Sequence, residues 1–89
     1  LECTDDYVHE YGVATPAGLA AIRAAARLEG LLLDPVYTGK SMAGLLDLAR
    51  RGVLDPAVPT VFLHTGGVPI VFAFEEAFRD QAACTKITR

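Results

Sequence analysis

No stretch of this 89-residue chain approaches the ~20 consecutive apolar residues that a membrane-spanning helix needs. The first residues also lack the basic-then-apolar pattern of a secretory leader. Basic charge is scarce: 8 Lys+Arg stand against 11 Asp+Glu, a formal net charge of −3 with no basic run. That removes the electrostatic footprint of a nucleic-acid or anionic-membrane binder. Cysteine is limited to Cys3 and Cys84, at opposite ends and without CxxC spacing, which is sparse for a disulfide-built scaffold and poor for zinc. Free thiols in a reducing cytosol fit better, so a cytoplasmic protein without a metal site is expected. Internal repeats and low-complexity segments are absent too, since the Ala-rich stretch near residue 20 needs only helix propensity to explain it.

What the chain does have is apolar content beyond its size, with 52% hydrophobic residues and a mean hydropathy of +0.32. A domain of this length hides only about 60–65% of the surface that its unfolded chain exposes, so something is expected to cover the excess. The length allows one domain at most. A chain starting at Leu1 instead of Met is expected to be a fragment or a processed product, so residues 1–89 are read as one segment of a larger domain.

Residues 1–14 carry Asp5, Asp6, His9 and Glu10 with no sustained period and are read as a connection. Thr15-Pro16 is a helix start, because Thr can cap orphan amides and Pro fits the first turn. Leu19, Ile22, Ala26 and Glu29 then recur at helical spacing up to a stop at Gly30. Leu31-Leu32-Leu33, ending at Asp34-Pro35, is predicted as a buried strand. Met42, Leu45, Leu46 and Ala49 form the apolar stripe of a second helix over 39–51, stopped at Gly52. Thr60-Val61-Phe62-Leu63-His64 is continuous in character, as in parallel strands covered on both faces. Gly66-Gly67 breaks it, and Pro69 opens a third helix from Ile70 to Phe78. The tail 80–89 is expected to fray. Helix, strand, helix, strand, helix is an α/β order with 31–64 as one right-handed βαβ unit. Two parallel strands cannot be a whole sheet.

Ligands in open α/β sheets bind beyond the carboxyl ends of the strands, which is where 34–41 and 64–67 would lie side by side. Thr65-Gly66-Gly67 reads either as a helix cap with a tight turn or as a ligand site, where glycines admit close approach, helix-start amides attract electron-rich groups and a hydroxyl donates. Gly39-Lys40-Ser41 resembles part of a phosphate loop, but Asp34 stands where its first glycine is required, so a nucleotide-triphosphate site is excluded. Tyr37 is either an aromatic cover over the sheet edge or an available phenol. Asp34 reads as a turn or cap residue, His64 as a satisfied core histidine, and Lys40 as a solvent-facing residue at a helix start. His9 has no partner at ligand spacing, and no nucleophilic triad can be assembled.

Three stretches, Tyr11 to Gly18 (YGVATPAG), Leu31 to Gly44 (LLLDPVYTGKSMAG) and Phe62 to Pro69 (FLHTGGVP), together resemble the C-terminal part of the D-cysteine desulfhydrase and aminocyclopropane-carboxylate deaminase family. These are pyridoxal-phosphate enzymes of the tryptophan-synthase-beta type. The likeness covers roughly residues 5–78 in the right order. It implies a fragment of a three-layer parallel-sheet sandwich, a pyridoxal phosphate cofactor, a small amino-acid substrate and a homodimeric parent. Tyr11 and Tyr37 match two tyrosines on the substrate side of the cofactor ring, while Thr65 with Gly66 and Thr38 match cofactor-side positions. Thr38 stands where aminocyclopropane-carboxylate deaminases typically have Glu. A neutral hydroxyl near the pyridine nitrogen favours its protonation less than a carboxylate does, which points to β-elimination of D-cysteine to pyruvate, sulfide and ammonia over opening a cyclopropane.

The chain also departs from the family. The Schiff-base lysine and the glycine-rich phosphate loop belong to its N-terminal portion and have no counterpart here, and Ala14 stands where Pro is common. The 89 residues alone are therefore expected to be inactive and to aggregate or stay molten. The alternatives are an aminocyclopropane-carboxylate deaminase, a sulfonate-releasing cysteate lyase, or a non-catalytic remnant or interaction module that lost the lysine-bearing half.

Overall fold

Thr15 carries the first structural commitment of the chain. With extended backbone (φ −105°, ψ 151°) it accepts a hydrogen bond at Oγ1 from the Gly18 amide (3.0 Å), and Pro16 follows at the first helical position. Helix α1 then runs Pro16–Glu29. Gly30 ends it in the left-handed region (φ 67°), its N–H donating to Ala26 while that of Leu31 donates to Ala25. This closes the last carbonyls of the helix. A computed structural model describes residues 2–79; the tail expected to fray, and Cys84 within it, lie outside the described residues.

Helix α2 runs Thr38–Arg50, and a 3₁₀ helix over Val68–Phe74 passes into a helical stretch at 75–79. α1 and α2 pack directly on each other. Ala21, Ile22 and Ala25 from α1 meet Met42 and Ala43 from α2, with Leu33 almost fully buried between them and Leu19, Leu45, Phe62 and Phe78 packed around. Arg23 fastens the C-terminal stretch, donating from Nη2 to the Ala77 carbonyl (2.7 Å) and lying over the Phe78 ring (5.5 Å).

The two helices begin and end within a residue or two of the sequence pattern, but the strands do not form. Among the described residues there is no strand, and 31–33 and 60–64 are irregular. The α/β order and the βαβ unit are thereby corrected to a small helical fragment compatible with part of a domain. Strand structure belongs to a hydrogen-bonded ladder and not to a segment. No backbone hydrogen bond joins 31–33 to 60–64. Nor are these segments buried as expected: Leu33 is, yet Leu31, Leu32, Val61 and Leu63 are exposed, Val61 at 89%. The third helix is corrected as well. Its first half is 3₁₀ with no buried residue.

Candidate functional site

Asp34 organises the ground beneath the site. Its side chain is fully buried, and Oδ2 accepts from the Val36 and Tyr37 amides (2.8 and 2.7 Å) while Oδ1 accepts from the Thr38 amide and hydroxyl (2.9 and 2.7 Å). The Thr38 hydroxyl oxygen in return accepts from the Asp34 amide (2.9 Å). One carboxylate thus ties together the turn that leads into α2, the turn role among the two read from the sequence. Burial pushes the Asp34 pKa up, but the bonds from the Thr38 amide and hydroxyl and from the Tyr37 and Val36 amides outweigh it. The net pKa lies below the ordinary carboxylate value.

The same carboxylate meets the second loop. Gly67 sits at φ 90°, and a Cβ there would fall 2.5 Å from Asp34 Oδ1, so only glycine allows this approach. Alongside, His64 donates from Nε2 to the Leu32 carbonyl (2.7 Å) and accepts the Gly66 amide at Nδ1 (3.1 Å); the amide donor at Nδ1 dictates the Nε2–H tautomer. His64 is satisfied but exposed, which corrects its reading as a core residue. The loops at 34–41 and 64–67 therefore do converge, held by a buried carboxylate and an imidazole without any sheet.

Above this base lies a cleft of about 580 Å³ whose walls include Tyr7, Tyr11, Tyr37, Lys40 and Thr65. The Tyr11 and Tyr37 hydroxyls are hydrogen-bonded at 2.6 Å, their rings edge to face with centroids 6.1 Å apart. That hydrogen bond raises the Tyr37 pKa, with desolvation and the negative charges nearby adding to it. Tyr37 is therefore a protonated donor throughout the physiological range. Of the five residues singled out from the sequence, Tyr11, Tyr37 and Thr65 share the cleft. Thr38 is buried below it with its proton given to Asp34, and the Gly66 amide is turned to His64.

Two residues escaped the sequence reading. Lys40 is not solvent-facing, being 4% exposed with Nζ donating to the Val8 and Glu10 carbonyls (2.8 and 2.9 Å). Tyr7 donates to Asp47 Oδ2 (2.6 Å) and lies against Gly44, where a Cβ would stand 3.0 Å from its ring. The hydrogen bond to Asp47 raises the Tyr7 pKa and the same bond lowers that of Asp47. A glycine inside an otherwise ordinary helix was the available signal for Tyr7. For Lys40 there was none.

Tyr11, Tyr37 and Thr65 bring three hydroxyl-bearing side chains to one open cleft, the donor and acceptor chemistry that a pyridoxal phosphate would take. Lys40, the lysine among the described residues, is held by two carbonyls and is unfit to be a Schiff-base lysine. No cluster of His, Cys, Asp or Glu among the described residues could hold a metal ion, and no helix among them is long and apolar enough to cross a membrane.

No family model matches the chain. Among curated proteins it is similar to the 1-aminocyclopropane-1-carboxylate deaminase of Burkholderia vietnamiensis, at 52% identity over 71 residues, which are 80% of this chain and 21% of that protein. It is similar also to the D-cysteine desulfhydrase of Yersinia enterocolitica, at 55% over 71 residues, 79% of this chain and 22% of the other. The D-cysteine desulfhydrase of Yersinia pestis (strain Pestoides F) is 52% identical over 68 residues, 76% of this chain and 21% of the other. The chain thus spans about a fifth of the length of the curated relatives it matches. The resemblance read from the sequence is borne out, and the chain matches a C-terminal fragment of the D-cysteine desulfhydrase and aminocyclopropane-carboxylate deaminase family.

Proposed function

We propose that this segment forms the substrate-side wall of a pyridoxal-phosphate-dependent lyase that eliminates the β-substituent of D-cysteine or a similar small amino acid. The observation that carries this reading is the Tyr11–Tyr37 hydroxyl pair facing one cleft with Thr65, in a chain similar to enzymes of that name. The rest of the parent polypeptide would bring the Schiff-base lysine and the phosphate loop and complete a three-layer sandwich over the exposed apolar segments, in a cytoplasmic homodimer.

Pyridoxal phosphate, when bound, supplies the electron sink that lets the α-proton leave. This chain's contribution is proton placement. The bond between the two hydroxyls can run in either direction; with Tyr11 donating, the Tyr37 hydroxyl, protonated at neutral pH, is free to donate to the departing sulfur. Thr65, on the wall of the same cleft, would offer its hydroxyl to the cofactor. Thr38 is neutral and locked to Asp34, so it offers no carboxylate to a pyridine nitrogen, which favours elimination of a good leaving group over ring opening.

The test is expression of the full-length protein that carries this segment. Bound cofactor is expected in its visible absorbance, together with sulfide release from D-cysteine, and Tyr37→Phe is expected to lower kcat by about 100-fold with the absorbance retained. Colourless protein that stays inactive after cofactor is added would overturn the reading in favour of a non-catalytic module. Faster turnover of 1-aminocyclopropane-1-carboxylate than of D-cysteine would move it to the deaminase.

A further inference from the structure

The tyrosine pair depends on a backbone that has no regular structure of its own. Tyr11 sits on the irregular N-terminal segment, whereas Tyr37 sits at the foot of α2. Two ties hold that segment to α2: Tyr7 bonds Asp47 farther along the helix, and Lys40, near the start of α2, acts next to the tyrosine pair. Its Nζ reaches back across 32 and 30 residues to the Val8 and Glu10 carbonyls. Between these two carbonyls His9 adopts a left-handed conformation (φ 56°), which is uncommon for a residue with a side chain and turns both neighbours' carbonyls to the same ammonium. Tyr11 follows at once. The Glu10 carbonyl also accepts the Val13 amide (3.2 Å), so the turn that carries Tyr11 is held from both ends.

We infer that Lys40 is a positioning residue: its ammonium clamps the 8–10 turn to α2 and thereby sets the Tyr11 hydroxyl against that of Tyr37. Burying an ammonium is tolerable only where acceptors meet it, and here two carbonyl dipoles take two of its three donors. An apolar side chain of similar length would fill the space and release the turn. As a determinant of substrate-side geometry this rests on the lyase reading above; as a statement about the tyrosine pair it does not.

The experiment has two arms, both on the full-length protein. In the first, tyrosines carry a ¹³C label at Cζ, and the pH titration of Tyr37 is followed by NMR in the wild type, Lys40→Met, Tyr11→Phe and the double variant. Both single variants should lower the Tyr37 midpoint to the same extent, toward the ordinary value of about 10, and the double variant no further. A Lys40→Met protein that is folded and titrates as the wild type overturns the inference. Lys40→Gln, which keeps a donor for one carbonyl, should fall between. If neither variant folds, acetylation of Lys40 in the native wild type decides: protection of at least tenfold relative to a free lysine side chain supports the clamp, and reaction at the free rate overturns it. In the second arm, Lys40→Met and Tyr11→Phe should each lower kcat on D-cysteine without adding to one another and with cofactor absorbance unchanged, by up to about 100-fold. Additive losses overturn the inference. A wild type without cofactor or turnover defeats the lyase reading alone, because the titration still decides the role of Lys40.

Discussion

Replacing Asp34 by Ala should destabilise the full-length protein by about 4 kcal/mol in urea unfolding, the largest loss expected from any single polar side chain here. Four hydrogen bonds converge on this fully buried carboxylate. Removing it leaves the Val36, Tyr37 and Thr38 amides and the Thr38 hydroxyl without that acceptor, and a stranded buried donor costs more than a hydrogen bond gains. Asp34→Asn should recover about half. Its remaining oxygen can serve one pair of donors, but its amide nitrogen would face the other. The pH dependence has a definite sign. Because the folded-state pKa of Asp34 is depressed, its stabilisation is fully present above the unfolded value of about 3.9 and is lost as pH falls through the folded value. Urea midpoints measured below pH 4 should therefore fall in the wild type and change much less in Asp34→Asn. Equal acid sensitivity of the two proteins would show that the Asp34 turn carries no titratable stabilisation.

Gly39→Ala should be nearly as damaging, at about 3 kcal/mol. A methyl at this position would lie 2.5 Å from the Asp34 carbonyl oxygen and 2.8 Å from Ile22 Cδ1. The side chain of Ile22 could adjust. The Asp34 carbonyl cannot, because it accepts the Gly39 amide (2.7 Å) and belongs to the capped turn. The collision therefore opens the turn between Asp34 and Gly39 at the start of α2, and Gly39→Val should be worse. A control is Gly30→Ala, where the added carbon touches nothing within 4 Å and the penalty comes from the left-handed φ of 67°; that change should cost about 1 kcal/mol. A urea midpoint for Gly39→Ala equal to that of the control would mean that the turn from Asp34 to Gly39 has room for a methyl group.

These contrasts explain what was legible in the sequence. The ends of α1 were readable because Thr15-Pro16 and Gly30 act within a few residues of themselves, and the turn role of Asp34 was readable for the same reason. The strands were misread because apolar runs such as Leu31–Leu33 carry no information about whether a partner ladder is present. The meeting of the two loops was foreseen, but from a sheet; the structure achieves it through Asp34 against Gly67 and His64 against Leu32. Tyr11 came from resemblance alone, and so did its pairing with Tyr37, 26 residues away in the chain, whose loop position had marked it only as a cover or an available phenol. The burial of Lys40 was hidden because its acceptors are backbone carbonyls, present at every residue and thus invisible as pattern.

The segments 31–33 and 60–64 lie close enough for one imidazole to join them, yet exchange no backbone hydrogen bonds. Apart from the Leu31 amide and the Leu32 carbonyl, which bond Ala25 and His64, their amides and carbonyls would serve in the proposed parent fold as docking rails for strands from the rest of the polypeptide. One consequence is genetic. If the gene were split near residue 1 of this segment, the two separately produced polypeptides should find each other through these rails and restore activity in trans, whereas a proline in place of Phe62 should prevent it by removing one donor from the second rail.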